Sequence, residues 1–237
     1  MLQFLICSDL HTYVDNLRPA LEMAGRTDAV LIAGDLEAEQ DELEEVLGPV
    51  PFYAVCGNND YYLRTEYPEE LLLDLTDNPP SGPAPALVNV TRLHYDSLPE
   101  SSAITSFKNS PEKGLLERLA AENRIPAFLA GILAGNKRGE GVSHRILITH
   151  GKEYDVPGTR LLIRRASLWG ADLVLYGHTH QFADSTGAGG RIRLINPGCL
   201  VGDPHMSYGI SSRYEICSFA VLRIGTDGEI SVRHLHL

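Results

Sequence analysis

Short apolar runs that break off at an aspartate, asparagine or histidine constrain this chain more than any other feature. Leu2 to Cys7, Val30 to Ala33, Phe52 to Cys56, Arg145 to Ile148, Asp172 to Tyr176 and Arg191 to Ile195 are each four to six residues long. Such runs are too short for core helices and read as strands buried in a sheet. Helical patterns separate the first three. Leu17, Leu21 and Ala24 share one face, with Asp15 or Asn16 as the expected cap and Gly25 as the stop. The acidic stretch from Glu37 to Val46 reads as a second helix with a solvated outer face. Strand, helix, strand, helix, strand gives an α/β architecture with parallel crossovers. Later in the chain a helix is expected from Thr159 to Trp169, closed by Gly170. Phe219 to Ile224 and Glu229 to His236 form a terminal hairpin across Thr226-Asp-Gly228.

Composition excludes several classes of function. At 237 residues and 43% hydrophobic, the chain can bury the core of one generous domain or of a domain with an insertion. No apolar run approaches the roughly 20 residues of a membrane span. Met1 to Cys7 lacks a basic region and reaches Asp9 too soon for a signal peptide. Cys7, Cys56, Cys199 and Cys217 are scattered without CxxC spacing, as expected for reduced thiols in a cytoplasmic protein. A formal charge of -11 argues against generic nucleic-acid binding, which draws its affinity from Lys and Arg on phosphates. It leaves room for a small phosphorylated substrate, because a bound cation reverses the local field.

Residues 61 to 144 break the strand-helix rhythm, and eight of the fourteen prolines fall there. Asn78 to Pro85 reads as loop. Pro68 to Leu75 and Glu112 to Ala121 read as short helices, and Ala127 to Ala134 as an apolar patch. The expected organisation is therefore a single domain, 1–237, with a core of 1–60 and 145–237. The 61–144 insertion reads equally as a cap subdomain over the C-terminal edge of the sheet or as an embellishment or homo-oligomer contact.

The residues that close the strands carry the chemistry. They are Asp9 and His11, Asp35, Asn58, His150, His178 and His180, and Asn196. Four of the nine histidines occupy these slots, at the edge where open α/β sheets bind ligands. Gly177 lets the chain bend sharply where Leu173 to Leu175 ends, aiming His178 and His180 into one crevice. Oxygen and imidazole donors together suit Mn²⁺, Fe²⁺, Co²⁺, Ni²⁺ or Zn²⁺, and the lack of thiolates argues against a structural zinc knot. His234 and His236 also alternate, but on a terminal edge strand where surface imidazoles are expected.

The ordered set Asp9-Leu-His11, Gly34-Asp35, Gly57-Asn-Asn-Asp60, Thr149-His-Gly151 and Gly177-His-Thr-His180, with Asn196-Pro-Gly198 after it, resembles the calcineurin-like metallophosphoesterase superfamily. It is most similar to the branch of small prokaryotic phosphodiesterases that share their fold with the retromer scaffold subunit. The resemblance covers 1–60 and 145–237. It implies an αββα sandwich of two mixed β-sheets flanked by helices, with an inserted cap segment. It also implies two divalent cations, one on Asp9, His11, Asp35 and His180, the other on Asp35, Asn58, His150 and His178, with Asp35 shared. The implied reaction is hydrolysis of a phosphoester by in-line attack of a metal-bridging hydroxide.

Two departures from the family pattern bear on substrate. Larger members carry a histidine after the GN asparagine as the acid for the leaving group, and here that residue is Asn59. Such help is typically worth about 10²–10⁴-fold, so diesters or other substrates with good leaving groups are expected. Asn59 and His11 are the catalytic candidates implied, and Asn59 could also bond a phosphoryl oxygen or steady its loop. The small branch often reads HGH where this chain has His150-Gly-Lys152, so Lys152 either contacts substrate phosphate or is merely exposed. A phosphomonoesterase or nucleotide pyrophosphatase, a non-catalytic scaffold, and a nuclease are the rival readings, the last opposed by the acidic balance.

Overall fold

The computed structural model describes residues 1–64, 66–76, 86–97, 142–201 and 217–237. The N-terminal run forms β1 (Leu2–Cys7), and its neighbours explain why it is apolar on both sides. Leu5 and Cys7 pack toward two helices, α1 (Leu17–Ala24) and α2 (Gln40–Leu47). Phe4 and Ile6 pack the other way, into an apolar layer between two sheets. The next strands, β2 (Ala29–Ile32) and β3 (Phe52–Ala54), run parallel to β1 and to each other.

Two further strands arise inside the span read as an insertion. These are β4 (Glu70–Thr76) and β5 (Ala86–Leu93), an antiparallel pair. Then come β6 (His144–Thr149), α3 (Arg160–Trp169), β7 (Leu173–Leu175), β8 (Phe182–Gly187) and β9 (Ile192–Pro197). The chain closes on the hairpin of β10 (Ser218–Ile224) and β11 (Ile230–His236). The strands make a five-stranded sheet, β11-β10-β1-β2-β3, and a six-stranded sheet, β5-β4-β6-β7-β9-β8. Both are mixed, because β10 in one sheet and β4 and β8 in the other run against the parallel centres, while β11 and β5, antiparallel to β10 and β4, run with them. The two sheets face each other across the layer of Phe4, Leu31, Leu73, Ile148, Leu175 and Leu222, while α1 and α2 cover one outer face and α3 the other. This is the αββα sandwich.

Several local expectations are corrected. Pro68 to Leu75 is not a helix; Glu70–Thr76 is a strand buried at every position. Leu71, Leu73 and Leu75 point between the sheets and Leu72 points toward α3, so apolar residues on both faces hide the alternation of a strand. Tertiary pairing here overrides the helix preference of a Glu- and Leu-rich run. The segment also belongs to the six-stranded sheet, which draws 70–76 and 86–93 into the core architecture. The helices expected at 112–121, the patch at 127–134 and any cap they form lie outside the described residues. Neither Asp15 nor Asn16 caps α1 through its side chain. Asn16 instead donates from Nδ2 to the Leu200 carbonyl at 2.9 Å. The acidic helix starts later than expected, at Gln40, behind a capping box of Glu39 and Glu42. Its predicted first residue, Glu37, serves elsewhere. The edge strand β8 was not foreseen, because Phe182–Gly187 is polar and half exposed.

Two ion pairs pin β4 in place. Asp74 receives Arg145 of β6 through Nε at 2.5 Å and Nη2 at 3.0 Å, a bidentate cross-strand pair in register. Glu70 is fully buried and accepts the Tyr154 hydroxyl at 2.6 Å and Arg165 Nε at 2.9 Å. Arg165 also donates to the Ser97 and His94 carbonyls at 2.7 and 2.8 Å. One buried guanidinium thus ties α3 to β4 and to the segment after β5. Removing one partner of such a pair leaves the other charged and unsatisfied. Arg165→Ala is therefore expected to lower folding stability by about 3–5 kcal/mol, read by urea denaturation. A loss below about 1 kcal/mol, the range of a surface pair, would contradict this account.

Candidate metal centre

All the expected site residues lie on the loops that leave β1, β2, β3, β6 and β7 at the C-terminal ends of these strands. Because the two sheets face each other, these ends meet at one rim. Asp9 and His150 are fully buried there and Asp35 is nearly so, while His11, Asn58, His178 and His180 are half-buried above them.

Close approach of these loops depends on three glycines. A Cβ on Gly177 would lie 1.7 Å from Ser8 Oγ and 2.7 Å from Asp9 Oδ2. A Cβ on Gly57 would lie 2.0 Å from Asp35 Oδ1. Gly34 has φ +88, and its Cβ would meet His150 Nδ1 at 2.7 Å. The sequence reading assigned Gly177 to a sharp bend; the demand is for space, since its φ is not in the left-handed region. The strain falls on the polar residues themselves. Asp9, His11, Asp35, His178 and His180 have φ of 53, 46, 51, 70 and 55°. Non-glycine residues hold such angles at a cost of roughly 1–3 kcal/mol each, and they cluster where function requires them.

Polar contacts then orient the donors. His11 Nδ1 meets Glu37 Oε1 at 2.7 Å, and His150 Nδ1 meets the Ala33 carbonyl at 2.8 Å. With Nδ1 occupied, each ring turns Nε2 to the centre of the cluster. Asp35 Oδ1 accepts the Asn59 backbone N–H at 2.8 Å and Oδ2 accepts Asn59 Nδ2 at 3.0 Å. Asp9 Oδ2 accepts Ser8 Oγ and the His178 N–H, the latter at 3.0 Å. Around the centre, His11 Nε2 stands 3.2 Å from His180 Nε2, and His150 Nε2 stands 3.3 Å from Asp35 Oδ2 and 3.2 Å from Asn58 Oδ1.

One oxygen remains. Asp9 Oδ1 is buried and accepts no hydrogen bond, although His180 Nε2 lies 3.1 Å away and His150 Nε2 4.0 Å away. A buried carboxylate oxygen facing several imidazole nitrogens has the donor chemistry of a divalent-cation ligand. Asp9, His11 and His180 form one group whose donor atoms lie within 4.8 Å of one another, and Asp9, Asp35 and His150 form another. The two groups have Asp9 in common. His178 stands apart: its ring packs edge-on against His150 with centroids 5.1 Å apart, and among the described residues it makes no ion pair.

The buried carboxylates and imidazoles shift one another. Burial pushes the His150 imidazole down, but its bond to Asp35 and the Asp9 charge outweigh this and raise it. His180 is raised by its contact with Asp9. His178 is lowered, first by burial and then by the charge on His150. Asp35 is lowered although burial opposes it, because His150 and the Asn59 N–H favour the carboxylate.

Three residues at this rim escaped the sequence reading. Asp60, fully buried, accepts the N–H groups of Leu36 at 3.1 Å, Glu37 at 2.7 Å and Gly57 at 2.8 Å, fastening the loop after β2 to the loop after β3. Ser8 and Glu37 were missed as well, and only their places beside Asp9 and two residues after Asp35 hinted at them. Asn196, read as a strand-end residue, holds the histidine turn instead: its Nδ2 donates to the Gly177 carbonyl at 2.8 Å and to Thr179 Oγ1 at 3.0 Å. Asn59 lies against Asp35, and Lys152 is exposed in the turn after His150. Among the described residues, His234 stacks on Phe182 with centroids 3.9 Å apart and His236 is exposed, away from either donor group.

Comparison with known proteins gives the class. The chain matches the model of the calcineurin-like phosphoesterase superfamily domain over residues 2–112 and 130–222, which is most of its length, and it belongs to that superfamily. A predicted phosphoesterase of Streptococcus pneumoniae TIGR4 shares the fold, with 19% identity, a TM-score of 0.53, and 99% of this chain and 97% of that one covered. Vps29 of Chaetomium thermophilum also shares it, with 12% identity, a TM-score of 0.51, and 99% and 95% covered. At these identities the likeness is one of fold alone. No curated protein matches the chain. Members of the superfamily typically bind divalent metals, and the donor groups around Asp9 are candidates for that role.

Two substitutions test how the rim is held. Gly177→Ala is expected to destabilise the fold by about 1–3 kcal/mol or more, as overpacking does, and to abolish metal uptake measured by elemental analysis; wild-type metal content would refute the close-contact explanation. Glu37→Gln should leave the fold intact and weaken metal affinity by about 10–100-fold, read by competition with a chelating dye.

Proposed function

We propose that this chain is a metal-dependent phosphoesterase, more specifically a phosphodiesterase, acting on a small phosphorylated substrate at the rim described above. Asp9, His11, Asp35 and His180 would hold one divalent cation, and Asp35, Asn58, His150 and His178 a second. Mn²⁺, Fe²⁺, Co²⁺, Ni²⁺ and Zn²⁺ all suit this set of oxygens and imidazoles. The observation that carries the reading is the buried Asp9 Oδ1, which accepts no hydrogen bond amid imidazole nitrogens. When bound, such cations supply positive charge against the phosphate and lower the pKa of water.

The chain's own residues do the positioning. Glu37 and the Ala33 carbonyl fix which nitrogen of His11 and His150 is presented. Asn59 holds both oxygens of Asp35. Lys152, exposed beside His150, offers a cation to a phosphoryl oxygen. Asn59 brings no titratable proton, so a poor leaving group departs without acid assistance from this position. That favours a diester with an acidic leaving group over a monoester of an ordinary alcohol.

The test is hydrolysis of bis-p-nitrophenyl phosphate and p-nitrophenyl phosphate with added Mn²⁺. The diester should be the better substrate, and both chelation and Asp35→Asn should reduce its turnover by about 10²-fold or more. Asn59→His should raise monoester turnover, up to about 10²-fold. A monoester preference in the unaltered chain would favour the phosphomonoesterase reading. If neither ester turns over in the metal-loaded protein, a non-catalytic role on the same fold replaces the proposal.

A further inference from the structure

The five-stranded sheet is one strand short of the sheet it faces. At one end the two are matched: Phe182 of β8 stacks on His234 of β11, and Arg193 of β9 donates from Nη1 to the Ile230 carbonyl of β11 at 2.8 Å. Counting inward from that end sets β3 against β4 and leaves β5 with no strand across from it. Val90 of β5 pairs in register with Leu73 and shares its face, yet Leu73 is wholly buried and Val90 is 39% exposed. Beneath Val90 lies a groove of about 570 Å³, bounded on one side by β3. β3 pairs only with β2, so its other edge opens on this groove. Alternate residues of a strand direct their N–H and C=O groups to opposite edges. Pro51 accepts the Val30 N–H at 2.9 Å and Val55 donates to the Ile32 carbonyl at 3.1 Å, so these residues and Tyr53 between them serve β2. Phe52, Ala54 and Cys56 therefore serve the groove. Cys56 already has a partner there, since its N–H donates to the Pro68 carbonyl at 2.8 Å. The outward N–H and C=O groups of Phe52 and Ala54 have none among the described residues, although Ala54 is buried. Backbone groups in that condition are costly, and an added strand removes the cost.

We propose that this edge docks an extended segment of a partner protein, alternating apolar and basic residues, which completes the five-stranded sheet by pairing with Phe52 and Ala54. A strand laid there turns its side chains alternately to two walls. One wall is apolar: Tyr53, Leu71 and Val90 point between the sheets. The other is the side on which Phe52 packs toward the helices, where Gln40 and Glu44 stand exposed on α2. Glu44 accepts the Gln40 side-chain amide at 2.6 Å, and Glu66 accepts the Gln40 backbone N–H at 3.1 Å. Neither carboxylate forms an ion pair among the described residues. Arg92, the cation of the lining, is turned to the Glu66 carbonyl. Lysine or arginine on the docked segment thus meets two carboxylates, and an acidic segment is repelled by them. An acyl chain would fill the apolar wall but leave the backbone groups of Phe52 and Ala54 unpaired, which is what selects a peptide. The groove lies apart from the two donor groups, so this inference is independent of the catalytic reading.

The test titrates the full chain into a short fluorescein-labelled peptide of alternating Val and Lys, followed by anisotropy. Saturable binding with a Kd below about 1 mM is expected, and a peptide of alternating Val and Glu should bind about 10-fold more weakly or worse. Two further peptides carry N-methyl groups on every second residue, one on each of the two alternating sets. Only the set that faces β3 gives up N–H bonds, so one peptide should lose about 10-fold or more in affinity and the other should match the parent. Val90→Asp and Glu44→Lys, both at exposed positions, should each weaken binding about threefold or more while leaving thermal unfolding unchanged. No saturable binding, equal binding of the two methylated peptides, or variants that bind like the unaltered chain would each overturn the docking site. Sedimentation velocity tests the rival occupant, a second copy of the chain. A dimer that Val90→Asp dissolves, together with no peptide binding, assigns the edge to self-association and overturns the proposal.

Discussion

A carboxylate buried where two sheets meet is the constraint from which the rest of this structure follows. Asp9 has no exposure to water, and an ionised group in that position is costly unless it is compensated. One oxygen is satisfied by Ser8 and the His178 N–H, while the other faces imidazoles without a hydrogen bond. The compensation comes from loops of both sheets. Asp9 and Asp35 leave the five-stranded sheet, and His150, His178 and His180 leave the six-stranded one. Neither sheet alone holds a complete set of donors, so assembling the cluster and packing the sandwich are the same event.

Holding that set requires a rim stiffer than ordinary loops. Backbone angles in the left-handed region, glycines with no room for a Cβ, and buried Asp60 and Asn196 binding neighbouring loops all act to one end. Each costs conformational freedom or local strain, and each fixes donors before any ligand arrives, as preorganised sites demand. The Glu70, Tyr154 and Arg165 network extends this stiffness, because Glu70 pairs in register with Thr149, the residue before His150.

Much of the five-stranded sheet was legible in the sequence, for a plain reason. Runs such as Leu2–Cys7 are apolar on both sides because one side meets helices and the other meets a second sheet. The same two-sided burial concealed β4, since Glu70–Thr76 shows no alternation and its composition suits a helix. It was pairing with β6, sealed by Asp74 and Arg145, that made it a strand. Polar β8 gave no apolar signal at all. At the site, seven candidate donor positions stand out because Asp, Asn and His recur after apolar runs, and five of them, Asp9, His11, Asp35, His150 and His180, fall in the two donor groups. Glu37 does not stand out, because inside an acidic stretch one carboxylate looks like its neighbours until His11 is found 2.7 Å away.

The apolar strands at the centre of each sheet, the polar residues that follow them, and the candidate donor side chains were therefore legible in the sequence alone, since they depend on residue type and local spacing. Which sheet each strand joins, which carboxylate the two donor groups share, and which strand edge stays open were decided by the tertiary structure. Those are distances between residues far apart in the chain, 220 positions for Gln3 and Arg223 and 169 for His11 and His180, and local pattern carries no record of such distances.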